Sequence, residues 1–219
     1  MDDFTMIVGD KNYSSWSMRG WLALRATGAP FREIVIPLEG PGKRTHAIDP
    51  HSPSGKVPSL RHGSITVWDS LAIGEYLAEL FPAAGLWPAD REARAVARSV
   101  AAEMHSGFSA LRAEMPMNIR RQGVTVKPSD ACKADVARVI ALWNDVRARY
   151  GRGGDFLFGA WSLADMAFAP VITRFRSYGV QTSGAAADYV DRVWDAPHVQ
   201  EWIVAARAES HAIPAVDAL

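Results

Sequence analysis

Asn12-Tyr13-Ser14-Ser15-Trp16-Ser17-Met18-Arg19 joins two segments of different periodicity. Before it, Phe4-Thr5-Met6-Ile7-Val8 is a strand-length run rich in apolar residues. After it, Trp16 to Ala26 sets Leu22 and Ala23 among Arg19 and Arg25, as a helix with one buried face does. Gly28 ends that helix. A second strand, Phe31 to Ile36, gives way to the polar loop Glu39-Gly40-Pro41-Gly42-Lys43. Strand, helix, strand in this order predicts a parallel pair joined by a crossover helix.

Further along, Val57-Pro58-Ser59-Leu60 and Ile65-Thr66-Val67-Trp68 flank Arg61-His62-Gly63-Ser64, the pattern of an antiparallel hairpin. Asp69-Ser70 caps a helix running to about Phe81, with Leu71, Gly74, Leu77 and Ala78 on one face. The first domain, residues 1–82, is therefore read as βαβ followed by ββα, an α/β unit. The breakers between Pro82 and Pro88 place a linker at 83–90, and residues 91–219 read as an all-α domain. Arg91 to about Arg121 forms one amphipathic pattern, bent near Pro116, whose charged run Arg91 to Arg98 faces solvent. A second helix, Ser129 to about Tyr150, turns Val136, Val139, Ile140 and Trp143 inward and stops at Gly151. Ser162-Leu163-Ala164-Asp165 has capping-box spacing and opens a buried helix from Met166 to about Tyr178. Pro197 begins a last helix with Val199, Trp202, Ile203 and Ala206 at helical spacing.

The 219 residues are 48 % hydrophobic, enough for one or two cored domains. Lys plus Arg and Asp plus Glu are 24 each, so no bulk charge favours nucleic acid or an anionic membrane. The acidic start, Met1 to Met6, lacks the basic region of a secretory signal, and no apolar run is long enough to span a bilayer. A cytoplasmic protein is expected. Cys132 is the single cysteine, which excludes an internal disulfide and a CxxC redox pair. The six histidines show no ligand spacing, so no metal is expected, and Cys132 reads as a packed thiol.

Three stretches carry chemistry. Ser14 and Ser15 stand at a helix N-terminus, where a hydroxyl and the helix dipole together favour an anion; both are also ordinary caps. A cis bond before Pro58 would turn the backbone N–H and C=O of Val57 outward to bind an extended peptide, whereas a trans bond would make a plain strand start. Asp69 and Ser70 can hold a carboxylate and an ammonium, and Asp69 serves equally as a helix cap.

In order and spacing these stretches resemble the glutathione transferase family, most nearly its serine-type zeta and theta-like branches, over the whole chain. The resemblance implies a thioredoxin-like N-terminal domain, a helical C-terminal domain, glutathione as co-substrate and a homodimer. It assigns the thiolate to Ser14 or Ser15, Ser14 being preferred because it matches the first serine of the zeta-type pair, with Trp16 standing where zeta members have cysteine. With no cysteine there, a mixed disulfide with glutathione cannot form at this tract. Val57 and Pro58 would hold the peptide backbone, Asp69 and Ser70 the γ-glutamyl end, and Lys43 the glycyl carboxylate. His105 and Phe108 would face the second substrate, with a core or interface position as the equal alternative. Arg174 and Arg176 lie near the family's carboxylate-binding arginine, which by ungapped counting falls at Ser177, so Arg176 requires a one-residue shift. The leading expectation is thiolate attack on an electrophilic, largely apolar substrate. A maleylacetoacetate-type isomerase and a noncatalytic binding protein are the alternatives.

Overall fold

The computed structural model describes residues 3–218; Met1, Asp2 and Leu219, the outer ends of the two expected domains, lie outside them. β1 (Phe4–Gly9), β2 (Phe31–Ile36), β3 (Ser59–His62) and β4 (Ile65–Trp68) form one sheet in the order β2-β1-β3-β4. β1 runs parallel to β2, with Phe4 opposite Phe31, and antiparallel to β3, which pairs in turn with β4. α1 (Ser15–Ala26) is the crossover between β1 and β2, and α2 (Ser70–Leu80) follows the hairpin. This is the thioredoxin-like α/β arrangement, followed by a helical C-terminal region.

Every residue of β1 is buried because the strand is central and covered on both faces. Its side chains alternate with the two-residue period of a strand: Met6 and Val8 join the main core, while Ile7 packs with Ile36 and Ile48 on the opposite face. Gly20 lets α1 lie close beneath the hairpin, since a Cβ there would stand 2.9 Å from Cγ of Pro58. At Gly74 of α2 the corresponding neighbour is Cδ2 of Leu163, also at 2.9 Å.

The helical region contains α3 (Arg91–Ser106), α4 (Ser109–Glu114), α5 (Asp130–Tyr150), α6 (Leu163–Ser177), α7 (Ala185–Trp194), α8 (Pro197–Ala208) and α9 (Pro214–Asp217). α6 is the central post: nearly all of it is buried, and it packs on α1, α3 and α7. Trp143 of α5 is fully buried against Phe168, Phe175 and Tyr189. Pro170 has no N–H to donate to the Met166 carbonyl, and its own carbonyl accepts from Thr173 Oγ1 at 2.8 Å and Arg174 Nη1 at 3.0 Å. Among the described residues no helix is long and apolar enough to cross a membrane.

One expected element divides. The amphipathic stretch from Arg91 to Arg121 is two helices, and the break lies at Gly107-Phe108, ahead of Pro116. Phe108 adopts a left-handed φ of 60° and buries its ring in the core. Arg112 then reaches back to cap the end of α3, with Nε donating to the Gly107 carbonyl at 3.0 Å and Nη2 to those of Met104 and His105. Pro116 falls after α4 has ended. α7 and α9 occupy sequence that the periodicity reading passes over.

α6 starts at Leu163, three residues earlier than Met166, with Ser162 as its cap. Asp165 is fully buried and accepts from the backbone of Ser162 at 2.9 Å, from Ser162 Oγ at 3.0 Å and from the backbone of Leu157 at 3.0 Å. Replacing it by alanine orphans two buried amides. Asp165→Ala is expected to lower stability by about 2–4 kcal/mol in denaturant titration, and Ser162→Ala by about 1 kcal/mol.

Candidate functional site

The turn between β1 and α1 is built from backbone upward. The Asp10 carbonyl accepts from the amides of Tyr13 and Ser14 at 3.2 and 2.8 Å, and the Asp10 carboxylate accepts from Leu38 N at 2.6 Å, which joins the turn to the loop after β2. Asn12 is fully buried and faces the helical region. Its amide donates to Asn118 Oδ1 at 2.9 Å, its side-chain oxygen accepts from Arg120 N at 2.8 Å, and its carbonyl accepts from Ile119 N at 3.3 Å. The C-terminal segment closes over the same turn: Glu209 accepts from the amides of Lys11 and Asn12 at 2.8 and 3.0 Å. Tyr13 Oη donates to Asp217 at 2.9 Å and accepts from Arg120 Nη2 at 2.7 Å and Ile213 N at 3.1 Å.

Beside this turn lies a cavity of about 640 Å³, within the range of small-ligand sites. Its floor is Ser14, Ser15 and Trp16; one wall is the loop around Lys43 together with Val57; the other is Arg112, Met117 and Arg174. Ile213 and Val216 of the C-terminal segment border it.

The two serines differ. Ser14 is the N-cap of α1: its Oγ accepts from Ser17 N at 3.3 Å and donates to Ser17 Oγ at 2.7 Å. Ser15, the first residue of α1, also lines the cavity, and no hydrogen bond joins its hydroxyl to another described residue. The Val57-Pro58 bond is cis, and Val57 lines the cavity. Lys43 stands exposed at the mouth.

Asp69 and Ser70 do not line this cavity. Asp69, at φ 75°, caps α2 by accepting from Leu71 N at 2.8 Å and Ala72 N at 3.4 Å. Its other oxygen stands 3.2 Å from Nε2 of His105, whose ring meets Trp16 edge-on at 4.8 Å, so the path from the cavity to Asp69 runs through those two rings. Burial, more than the neighbouring arginines, lowers the His105 pKa against the pull of Asp69. Ser70 Oγ is buried without a partner and faces a void of about 20 Å³, room for one water, shared with Arg19.

Phe108 and Arg176 are not part of the cavity. Phe108 packs in the core because the α3–α4 break turns it inward. Arg176 is exposed, pairs with Asp191 and lies over Trp194, on the outward side of α6. The inward face of α6 presents Arg174, 4 % exposed, with Nε donating to the Met115 carbonyl at 2.8 Å. Arg174 therefore needs no shift of register to reach the site. Trp16 and Arg112 are the larger additions: the guanidinium carbons of Arg19 and Arg112 lie 4.6 and 4.7 Å from the Trp16 ring centroid. A charged side chain at helical spacing within a buried pattern was the available signal for both arginines.

A thioredoxin-like sheet followed by a helical region is the fold of glutathione S-transferases. Residues 13–80 match the family model "Glutathione S-transferase, N-terminal domain". The chain is similar to a glutathione transferase homolog from Burkholderia GL BGR1 with bound glutathione, at 28 % identity and a TM-score of 0.72, covering 94 % of this chain and 100 % of that one. A theta class glutathione S-transferase from Xanthomonas axonopodis pv. citri, with glutathione bound, shares the fold at 21 % identity and a TM-score of 0.67, covering 97 % of this chain and 100 % of that one. Among curated relatives, maleylacetoacetate isomerase of Mus musculus is 34 % identical over 98 residues, 45 % of each chain. Glutathione S-transferase L2, chloroplastic, of Arabidopsis thaliana is 24 % identical over 161 residues, 74 % of this chain and 50 % of that one. The matches span about half the length of these two relatives. Together these findings show the fold of glutathione S-transferases and, over residues 13–80, that family's N-terminal domain.

Because Asn12 ties the serine turn to the helical region, its truncation leaves Arg120 N–H and Asn118 Oδ1 buried without partners. Asn12→Ala is expected to cost about 2–4 kcal/mol in thermal or denaturant unfolding.

Proposed function

We propose that the protein binds glutathione in the cavity and stabilises its thiolate with a serine hydroxyl for attack on an electrophilic carbon of a second substrate. The observation that carries this reading is the unpartnered Ser15 hydroxyl on the first turn of α1, inside the cavity. Ser14 spends its hydrogen on Ser17, so Ser15 is the donor to sulfur and Ser14 the residue that shapes the turn. A thiol titrates near about 8.5 when free; a hydroxyl donor and a helix N-terminus both lower that value by favouring the anion.

The remaining assignments follow the cavity. Val57, whose backbone groups take no partner among the described residues, pairs with the cysteinyl backbone of glutathione next to Pro58. Lys43 at the mouth meets the glycyl carboxylate. Ser70 and the first amides of α2 hold the γ-glutamyl carboxylate, and the Asp69 oxygen beside His105 faces the ammonium. This last contact requires the rings of Trp16 and His105 to make room. Glutathione-dependent isomerisation of an unsaturated acid is the second reading, favoured by the similarity to maleylacetoacetate isomerase. A homodimer is part of the proposal: Ile65 and Trp68, 48 % and 45 % exposed on edge strand β4, offer apolar surface for a second copy.

The test is the ultraviolet absorbance of the glutathione thiolate bound to wild type, Ser15→Ala and Ser14→Ala across pH. A charge-assisted hydrogen bond is worth roughly 1.5–3 kcal/mol, so Ser15→Ala is expected to raise the bound thiol's pKa by about one unit or more. Ser14→Ala is expected to act chiefly on stability. Equal pKa values in all three proteins would refute thiolate activation by serine, and an unshifted value in wild type would leave a noncatalytic glutathione binder.

A further inference from the structure

We propose that Arg19 and Ser70 hold a halide ion, chloride or bromide, in the buried space between α1, α2 and α6. The inference stands apart from the glutathione reading and concerns a site outside the large cavity.

Arg19 is 5 % exposed, and its Nε donates to the Ala167 carbonyl at 2.9 Å. Its Nη1 and Nη2 are buried and take no partner among the described residues. The Trp16 ring, 4.6 Å from the guanidinium carbon, attracts the cation but offers no lone pair to these nitrogens. Ser70 is also 5 % exposed, and its Oγ is the second buried polar atom without a partner beside the same space. The neighbouring carboxylate, Asp69, is committed: one oxygen caps α2 and the other faces His105.

The space, about 20 Å³, is closed by Leu71, Gly74, Leu163, Met166 and Ala167. Its size admits one water or one monatomic ion and excludes sulfate, nitrate or a carboxylate. A water accepts from Arg19 but leaves the charge unmatched, and a buried cation needs a counter-charge as well as acceptors for its N–H groups. Burial first, and then the charges of Arg112 and Arg174, lower the Arg19 pKa against the pull of Asp69, so this neighbourhood favours an anion. The apolar walls suit large, weakly hydrated chloride or bromide and disfavour fluoride, whose hydration they cannot replace. The ion accepts from the Arg19 Nη groups and the Ser70 hydroxyl, at the positive end of α2. The amides at the start of α2 remain for the γ-glutamyl carboxylate. Because α1 and α2 belong to the sheet domain and α6 to the helical region, the ion forms part of the contact between them.

The experiment follows thermal unfolding of the full chain, without glutathione, in sodium bromide, chloride or fluoride, with sodium gluconate holding the ionic strength constant. Bromide and chloride are expected to raise Tm along a saturating curve, by about 2–4 °C once the halide exceeds its Kd about fivefold, and fluoride is not. Ser70→Ala is expected to need about tenfold more halide for the same rise, as the loss of one charge-assisted hydrogen bond requires. Arg19→Met is expected to abolish the response. A crystal grown in bromide is expected to show an anomalous peak between Arg19 and Ser70. Identical curves in bromide and fluoride would overturn the inference, and so would a bromide response that Ser70→Ala leaves unchanged. An anomalous map empty at this spot would also overturn it, by assigning the space to water. Ser70→Ala and the map decide the question even where Arg19→Met does not fold.

Discussion

The hydrogen bonds of Asn12 are the constraint on which the site depends. A turn between a strand and a helix is ordinarily free to shift by an ångström or more, and a hydroxyl that must hold one position in a cavity cannot tolerate that freedom. Here the turn is buried and tied to residues more than a hundred positions away, through Asn118, Ile119 and Arg120. The C-terminal segment adds Glu209 and Asp217 to the same knot. The N-terminal sheet supplies the serines, but the helical region fixes where they stand.

The same logic governs the charges. Removing a guanidinium from water costs several kcal/mol unless hydrogen bonds replace the lost hydration. Arg112 and Arg174 recover part of that cost from carbonyls, those at the end of α3 in one case and those of Met115 and Pro170 in the other. The break at Phe108 has a second effect, since it places Arg112 on a separate helix, α4, where it lines the cavity.

The sequence was legible where periodicity, caps and turn residues agreed. Both strands of the parallel pair, the hairpin and the first two helices follow from alternation and from Gly28, Gly63 and Asp69. The capping box of Ser162 and Asp165 was readable for the same reason. α7 was legible in principle, since Ala186, Tyr189, Val190 and Val193 have helical spacing, but it lies in a stretch whose neighbours are small and polar. The division of the long helix was not, because nothing local distinguishes a phenylalanine at a left-handed φ from one on a helix face. At the site, residue types were informative and partners were not. Two adjacent serines look alike until the Ser17 hydroxyl is seen to occupy one of them, and the choice between Arg174 and Arg176 turns on which face of α6 is buried.

Gly20 links this architecture to the way such a chain can drift over generations. Within a helix, alanine is worth about 1 kcal/mol more than glycine, so random substitution and selection for stability alone would both favour filling the position. The ring of Pro58 occupies that space, and a methyl group there would prise the first helix from the segment that carries Val57. The chain accepts a weaker helix in exchange for a shorter distance between its layers. Residue 20 touches no ligand in any assignment made for this site, yet its freedom to vary is narrower than that of many residues that would.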